Sequence, residues 1–120
     1  MICSLLAPLA LAACIEPPEP VAVSARIGAW TRIAGLRIRP DKVVEDSRCP
    51  MNARCVWAGR ATVRLTLRDG SRTRQVNVTL GEPIKVRDGR LALMSVSPEK
   101  MAGAQPKRPA PYRFVFEFQR

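Results

Sequence analysis

The feature that most constrains the fold of this chain is an alternation of apolar and polar residues with a period of two. Within residues 61–68 the odd positions are apolar and the even positions are threonine or arginine. This is the period of a β-strand with one buried face and one solvent-facing face. Asp69-Gly70 follows as a hairpin-type turn, and residues 75–80 repeat the alternation with valines and a leucine at the even positions. The segment therefore predicts a β-hairpin.

A second hairpin and two earlier strands are predicted from similar signals. Residues 84–87 and 91–96 flank another Asp-Gly dipeptide, Asp88-Gly89. Upstream, residues 36–39 alternate leucine or isoleucine with arginine, and residues 43–44 are paired valines. Both upstream segments favour strands, since β-branched and alternating residues fit a half-buried sheet.

The chain ends in an aromatic stripe that predicts a core strand. Aromatic residues occupy every second position of this stripe: Tyr112, Phe114, Phe116 and Phe118. Together the signals predict an all-β chain of about seven short strands, folded as a small antiparallel β-sandwich or a small barrel. An immunoglobulin-like sandwich is the first choice, and the barrel stays open as the alternative.

The N-terminal segment is apolar and uncharged. Residues 1–15 carry no charge, are rich in leucine and alanine, and contain small residues immediately before Cys14. Glu16 and the following prolines break this run, so it is shorter than the roughly 20 apolar residues of a transmembrane helix. The pattern predicts a secretory signal peptide.

The residues at the end of this segment, Leu11-Ala12-Ala13-Cys14, resemble the bacterial lipobox. The resemblance implies that the peptide before Cys14 is removed and that Cys14 carries lipid. Two or more acyl chains hold a protein firmly to a membrane. We therefore expect a protein of the bacterial cell envelope, lipid-anchored to a membrane and facing the periplasm or the exterior. An ordinary secretory cleavage near Ala13 and a buried N-terminal helix remain the alternatives.

The predicted processing sets the domain boundaries. Removal of residues 1–13 from the 120-residue chain leaves 107 residues, which suits one domain. The prolines and glutamates of residues 16–20 disfavour helix and central strand and favour an extended tether. The prediction is a signal peptide at 1–13, a lipidated tether at 14–26 and a single β-domain at 27–120.

The charge of the chain is strongly unbalanced. It has 20 basic and 10 acidic residues, no histidine and a formal net charge of +10. This surplus predicts attraction to anionic partners, which in an envelope are lipid headgroups, lipopolysaccharide and wall polymers rather than nucleic acid. The candidate contacts are arginines of one exposed sheet face: Arg37, Arg39, Arg64, Arg68, Arg72 and Arg74. A solvated face without a dedicated partner is the alternative.

The cysteines predict one disulfide. Cys3 leaves with the signal peptide and Cys14 carries lipid, so Cys49 and Cys55 are expected to pair by elimination in an oxidising compartment. Trp57 is expected to pack on the disulfide or against the core edge, and Gly59 to permit the turn into the next strand.

The cysteines lie in a distinctive block, residues 46–59, with the sequence D-S-R-C-P-x4-C-V-W-A-G. This block resembles one found in small, uncharacterised bacterial lipoproteins and envelope proteins, where it leads into a strand. The resemblance covers 14 residues, with weaker similarity over the following hairpin. It implies a disulfide-clipped β-domain in the envelope and no catalytic activity.

Residue types argue against an enzyme or a metalloprotein. Structural zinc sites use C-x2-C pairs with further Cys or His, whereas this chain has no histidine. Sulfur ligation of Cu(I) by Cys49, Cys55 and Met51 would compete with the disulfide. The spacing of the cysteines is too long for a thioredoxin-like motif, and no G-x-S-x-G elbow occurs. We therefore expect no cofactor and no catalytic residues.

Two functional hypotheses from different classes remain. The first is a lipid-anchored structural or protein-interaction module that presents loops, such as residues 102–111, to an envelope protein. The second is a binder of anionic phospholipid or lipopolysaccharide through the arginine-rich sheet face. A protease inhibitor is a weaker idea that rests on fold analogy alone.

Overall fold

Two antiparallel sheets make up the fold in the computed structural model, which describes residues 19–57, 59–103 and 110–120. These residues form eight strands and no helix. The strands are β1 (Val21–Arg26), β2 (Thr31–Ile33), β3 (Leu36–Asp46), β4 (Ala61–Asp69), β5 (Arg72–Thr79), β6 (Ile84–Val86), β7 (Gly89–Ser97) and β8 (Arg113–Gln119). Their order is β1-β8-β7-β6 in one sheet and β2-β3-β4-β5 in the other.

The prediction of a small antiparallel β-sandwich is confirmed. β2 to β5 form one meander, and β6 to β8 form a second meander that β1 extends by pairing with β8. This order differs from the immunoglobulin arrangement, in which Greek-key connections mix early and late strands within each sheet. Both predicted hairpins are present, β4–β5 and β6–β7.

The core lies between the inner faces of the two sheets. Phe114, Phe116 and Phe118 of β8 are fully or almost fully buried, as the aromatic stripe predicted. Leu65 and Leu67 of β4 are buried on the other sheet, and the two sets belong to one apolar cluster. Each fully buried side chain of this size stabilises the fold by about 1.5–3 kcal/mol.

The structure corrects the predicted start of the domain. Residues 21–26, expected to belong to the tether, form β1 and pair with β8 from Val21↔Phe118 to Arg26↔Arg113. Without β1, β8 would be an edge strand with unpaired backbone groups, and pairing with β1 satisfies these groups. Residues 1–18, which include Cys14 and the predicted signal peptide, lie outside the described residues.

Strand β3 replaces the two short strands predicted at 36–39 and 43–44. It runs through Pro40, and its pairing with β4 shifts register between Pro40 and Lys42 and again between Val43 and Glu45. Proline has no backbone N–H to donate, so within a sheet it favours edges and bulges. The first bulge lets the chain continue as one strand across the proline.

Candidate functional site

Four of the six candidate arginines share one face of the β2-β3-β4-β5 sheet. Arg37 lies directly across from Arg68 in the β3–β4 ladder, and Arg39 lies two residues further along β3 on the same side. Arg64 lies across from Lys42, beyond the first bulge. These side chains point away from the buried apolar residues of β4, Val63, Leu65 and Leu67. We call the outer surface formed by Arg37, Arg39, Arg64 and Arg68 the basic sheet face.

Arg72 and Arg74 do not belong to the basic sheet face, which corrects the prediction. Arg74 pairs with Leu67 and Arg72 pairs with Asp69 in the β4–β5 ladder. Directly paired residues of an antiparallel ladder lie on the same side of the sheet. Since Leu67 is buried, the two arginines lie on the core side of β5. They are nevertheless exposed to solvent, because β5 extends past the core at this end of the sandwich.

Two residues that the sequence prediction missed extend the basic sheet face. The Trp30 ring centroid lies 5.3 Å from the guanidinium carbon of Arg37 and 4.9 Å from that of Arg39. Both distances suit cation–π contacts. Arg32 of β2 lies across from Arg37. The three residues of β2 are too few for a recognisable alternation, which is why the sequence pattern did not reveal this strand.

Asp41 neutralises part of the basic sheet face. The Arg39 Nε donates to the Asp41 carboxylate over 2.8 Å, and the Thr66 hydroxyl donates to it over 2.6 Å. Desolvation by burial raises the pKa of Asp41, but these two hydrogen bonds and the charges of Arg39 and Arg64 together outweigh it, so the pKa lies below its ordinary value. Asp41 is therefore a fixed anion at neutral pH, and Arg39 is less available to a ligand than Arg37 or Arg68.

The disulfide block forms the loop-rich end of the sandwich that lies opposite the β4–β5 turn. Cys49 and Cys55 are disulfide-bonded with their Cα atoms 5.9 Å apart, as predicted. The Asn52 side-chain amide donates to the Ala102 carbonyl over 3.0 Å and accepts from its backbone N–H over 2.7 Å. The cross-linked loop is thereby attached to the chain that follows β7.

A partly buried ion pair joins this block to the β1-β8-β7-β6 sheet. Arg48 donates two hydrogen bonds to the Asp46 carboxylate, from Nε over 2.8 Å and from Nη2 over 3.0 Å. Its Nη1 also donates to the Val96 carbonyl over 2.9 Å. The Tyr112 hydroxyl donates to Asp46 over 2.8 Å, and the Lys100 ammonium donates to the Asp46 carbonyl over 2.7 Å. We call Asp46, Arg48, Lys100 and Tyr112 the Asp46 network.

The pKa values in the Asp46 network follow from these contacts. Burial alone raises the pKa of Asp46, but the hydrogen bonds from Arg48 and Tyr112 bring it below the ordinary value of 3.8. Burial and the hydrogen bond to Asp46 both raise the pKa of Tyr112. At neutral pH Asp46 is therefore ionised and Tyr112 is neutral, which suits a structural clamp between β3 and β8.

Trp57 is exposed and does not pack against the core edge, one of the two positions expected for it. Its side chain is 55% exposed, and its indole Nε1 donates to the Ser47 carbonyl over 3.1 Å. Val56 beside it is fully exposed, and Met51 in the same loop is largely exposed. The loop is held by polar contacts, so its apolar side chains face solvent.

We expect the Asp46 network to make stability depend on pH. Because the folded-state pKa of Asp46 is lowered, its contribution is present above its ordinary value of 3.8 and is lost as pH falls through the folded-state pKa. Urea unfolding at about pH 7 and about pH 3 should give a lower free energy of unfolding in acid. Asp46→Asn should show a smaller difference between the two pH values, and equal differences would contradict this account.

The disulfide is expected to stabilise the fold by constraining the unfolded chain. Closing a loop of seven residues corresponds to about 2.4 kcal/mol on the loop-entropy model. The double variant Cys49→Ala with Cys55→Ala should therefore unfold roughly 10 °C or more below the parent in a thermal scan. Reductant should lower the melting temperature of the parent and leave that of the variant unchanged. A parent insensitive to complete reduction would refute the prediction.

Comparisons with known proteins do not supply a function. No family model matches it, and no curated protein and no solved structure matches it. Across residues 19–57, 59–103 and 110–120, no helix is long and apolar enough to cross a membrane. Over the same ranges, no group of three or more His, Cys, Asp or Glu residues could hold a metal ion.

Proposed function

We propose that the protein is a non-catalytic interaction module of the bacterial cell envelope, anchored to a membrane through lipid on Cys14. The short link between the anchor and the fold supports this assignment. β1 begins at Val21, seven positions after Cys14, and Pro20 immediately precedes the strand. The domain would be held close to the membrane, since a chain extends at most about 3.5 Å per residue.

The observation that carries the interaction role is the exposed apolar surface of the disulfide loop. Met51, Val56 and Trp57 face solvent on a segment that the disulfide and the hydrogen bonds of Trp57 and Asn52 hold in place. Protein-binding surfaces are enriched in exposed aromatic residues and methionine. A pre-ordered loop also loses little conformational entropy on binding. We assign the partner to the class of envelope proteins.

Three carboxylates of the fold have structural partners, which supports a non-catalytic role for these groups. Asp41 accepts from Arg39 and Thr66, Asp46 accepts from Arg48 and Tyr112, and Asp69 accepts from Arg87. The pKa values of all three carboxyl groups lie below the ordinary value. A general acid needs a proton near neutral pH, whereas these groups are ionised and engaged in structural contacts.

Membrane fractionation tests the anchor, and site-specific cross-linking tests the interaction role. The protein should sediment with membranes and be released by detergent, and Cys14→Ser should abolish this attachment. Cys3→Ser is the matched control, since Cys3 leaves with the signal peptide. A photo-reactive residue at Val56 should yield one discrete protein adduct in intact cells, whereas one at Ser95, exposed on β7, should not. Membrane attachment unaffected by Cys14→Ser would reject the lipid anchor. Equal adducts at Val56 and Ser95 would reject the interaction role of the disulfide loop.

A second candidate function is binding of anionic lipid or lipopolysaccharide by the basic sheet face. The favouring observation is that Arg37 and Arg68 lie side by side and that Arg32 adjoins Arg37. Binding to anionic vesicles should weaken with added salt and with Arg64→Glu combined with Arg68→Glu. Retention unchanged by both treatments would exclude this candidate.

A further inference from the structure

The N-terminal link enters the sandwich at one particular end. Val21, the first residue of β1, pairs with Phe118 near the end of β8. Arg90 at the start of β7 pairs with Gln119 of β8, so the β6–β7 turn lies at this end too. The first strand, the last strand and one hairpin turn therefore converge.

The turns of the β2-β3-β4-β5 sheet lie at the same end. Ala34 of the β2–β3 turn lines a small cleft with Val21 and Phe118. Arg87 of the β6–β7 turn forms an ion pair with Asp69, where β4 ends. We call this part of the sandwich, formed by the start of β1, the end of β8 and the β2–β3, β4–β5 and β6–β7 turns, the tether end.

The tether end carries a large excess of positive charge. Three grooves of about 630, 250 and 340 Å³ adjoin there. Nine basic side chains line them: Arg32, Arg37, Arg68, Arg72, Arg74, Lys85, Arg87, Arg90 and Arg120. The acidic residues lining these grooves and the neighbouring cleft are Asp69, Asp88 and Glu19, which leaves an excess of six positive charges.

Three cations of the opposite end are engaged within the protein, whereas Arg26, Arg54 and Arg113 of that end are exposed. Arg48 is neutralised by Asp46, and Arg60 lies 4.0 Å from Glu45. Lys100 donates to a backbone carbonyl. Among the described residues, the larger basic surplus therefore lies at the end where the chain from Cys14 arrives.

We propose that the tether end is a second membrane contact, which binds the phosphates of anionic phospholipid headgroups and orients the domain end-on. The inference rests on the proposed lipid anchor. Glu19 is five positions after Cys14, so the tether end lies within about 17 Å of the lipidated residue. Arginine side chains bind phosphate through paired hydrogen bonds. The disulfide loop, at the other end, then points away from the membrane toward its partner.

Hydrogen–deuterium exchange of the lipidated protein in vesicles tests this orientation. The mass of the intact protein first establishes the lipid on Cys14. Exchange is then compared between vesicles of phosphatidylcholine alone and vesicles that also contain phosphatidylglycerol. In the anionic vesicles the amides of residues 69–72 and 86–89 should exchange at least about fivefold more slowly, the effect of about one basic residue at such a surface. Added salt should reverse the slowing.

Matched charge variants separate local contact from overall charge. Lys85→Gln with Arg90→Gln removes two exposed cations of the tether end. Arg54→Gln with Arg113→Gln removes two exposed cations of the opposite end. The first variant should lose most of the slowing in anionic vesicles, and the second should retain it.

Each outcome of this experiment is decisive. If the protein is lipidated but residues 69–72 and 86–89 exchange equally fast in both vesicle types, the end-on contact is overturned and the proposed anchor stands. The same conclusion follows if the two charge variants have equal effects. Slowing confined to residues 39–42 and 64–66, which the tether end does not include, would assign the contact to the rest of the basic sheet face instead. Absence of lipid on Cys14 would reject the anchor and, with it, this inference.

Discussion

Replacing Arg48 by alanine should lower the free energy of unfolding by about 2–3 kcal/mol. The side chains of Arg48 and Asp46 are only 14% and 12% exposed, so the substitution leaves a carboxylate with little access to water. It also leaves the carbonyls of Val96 and Pro98 without their guanidinium donor. A buried charge without its partner costs far more than the net strength of the pair itself.

Urea denaturation measures this effect, and Arg60→Ala supplies the control. Arg60 and Glu45 also form an ion pair, but both side chains are well exposed and the atoms are 4.0 Å apart. Exposed pairs contribute about 0–1 kcal/mol, so Arg60→Ala should change the midpoint little. Similar losses for Arg48→Ala and Arg60→Ala would show that the Asp46 network does not clamp the sheets.

Replacing Gly59 by alanine should destabilise the domain by about 3 kcal/mol or more. A Cβ at this position would overlap the backbone carbonyl oxygen of Ser47 and would lie 2.6 Å from the Arg48 Cα. Because the obstacle is backbone, no side-chain rotation relieves it. The segment that leads into β4 would have to move away from the segment that follows β3. This would break the hydrogen bond from the Ser47 amide to the Arg60 carbonyl, which measures 2.8 Å.

Gly70→Ala is the matched control for this steric account. Nothing lies within 4 Å of a Cβ at Gly70, whose φ of +60° costs an alanine about 1–2 kcal/mol. Thermal unfolding of the two variants should therefore place Gly59→Ala well below Gly70→Ala. The opposite ranking would mean that backbone conformation, and not close approach, explains the glycine of the disulfide block.

The strands that the sequence predicted best are those with long alternations. Residues 61–68 coincide with β4 apart from its last residue, because one face of this strand is packed along its whole length. β1 carries a similar but shorter pattern behind a proline-rich segment, and its assignment depends on pairing with β8 at the far end of the chain. Such long-range pairing is not encoded in local periodicity.

The sequence already shows which face of the sheet each arginine occupies, because alternate residues of a strand lie on opposite faces. Val76 and Val78 define the inner face of β5, and counting back by two places Arg74 and Arg72 on that face. Their exposure comes from the end of the sandwich, where the sheet extends past the core. The convergence of three turns and both terminal strands at the tether end requires the strand order, which periodicity does not supply.

The contacts of the disulfide block were the least predictable part. Elimination among the four cysteines identified the bonded pair. The partners of Asp46, in contrast, include Tyr112, which is 66 residues away in sequence. The aspartate, arginine and glycine of the block thus have structural roles that only the packed fold reveals, and its tryptophan is turned to solvent rather than to the core.

The central claim is that lipid on Cys14 anchors this basic sandwich to a membrane. The most direct measurement is the intact mass of the protein purified from bacterial membranes, with fragmentation to locate the modification. We predict a mature chain that begins at Cys14 and carries two or three acyl chains on that residue. A chain that begins at Cys14 or elsewhere without acyl groups would contradict the account.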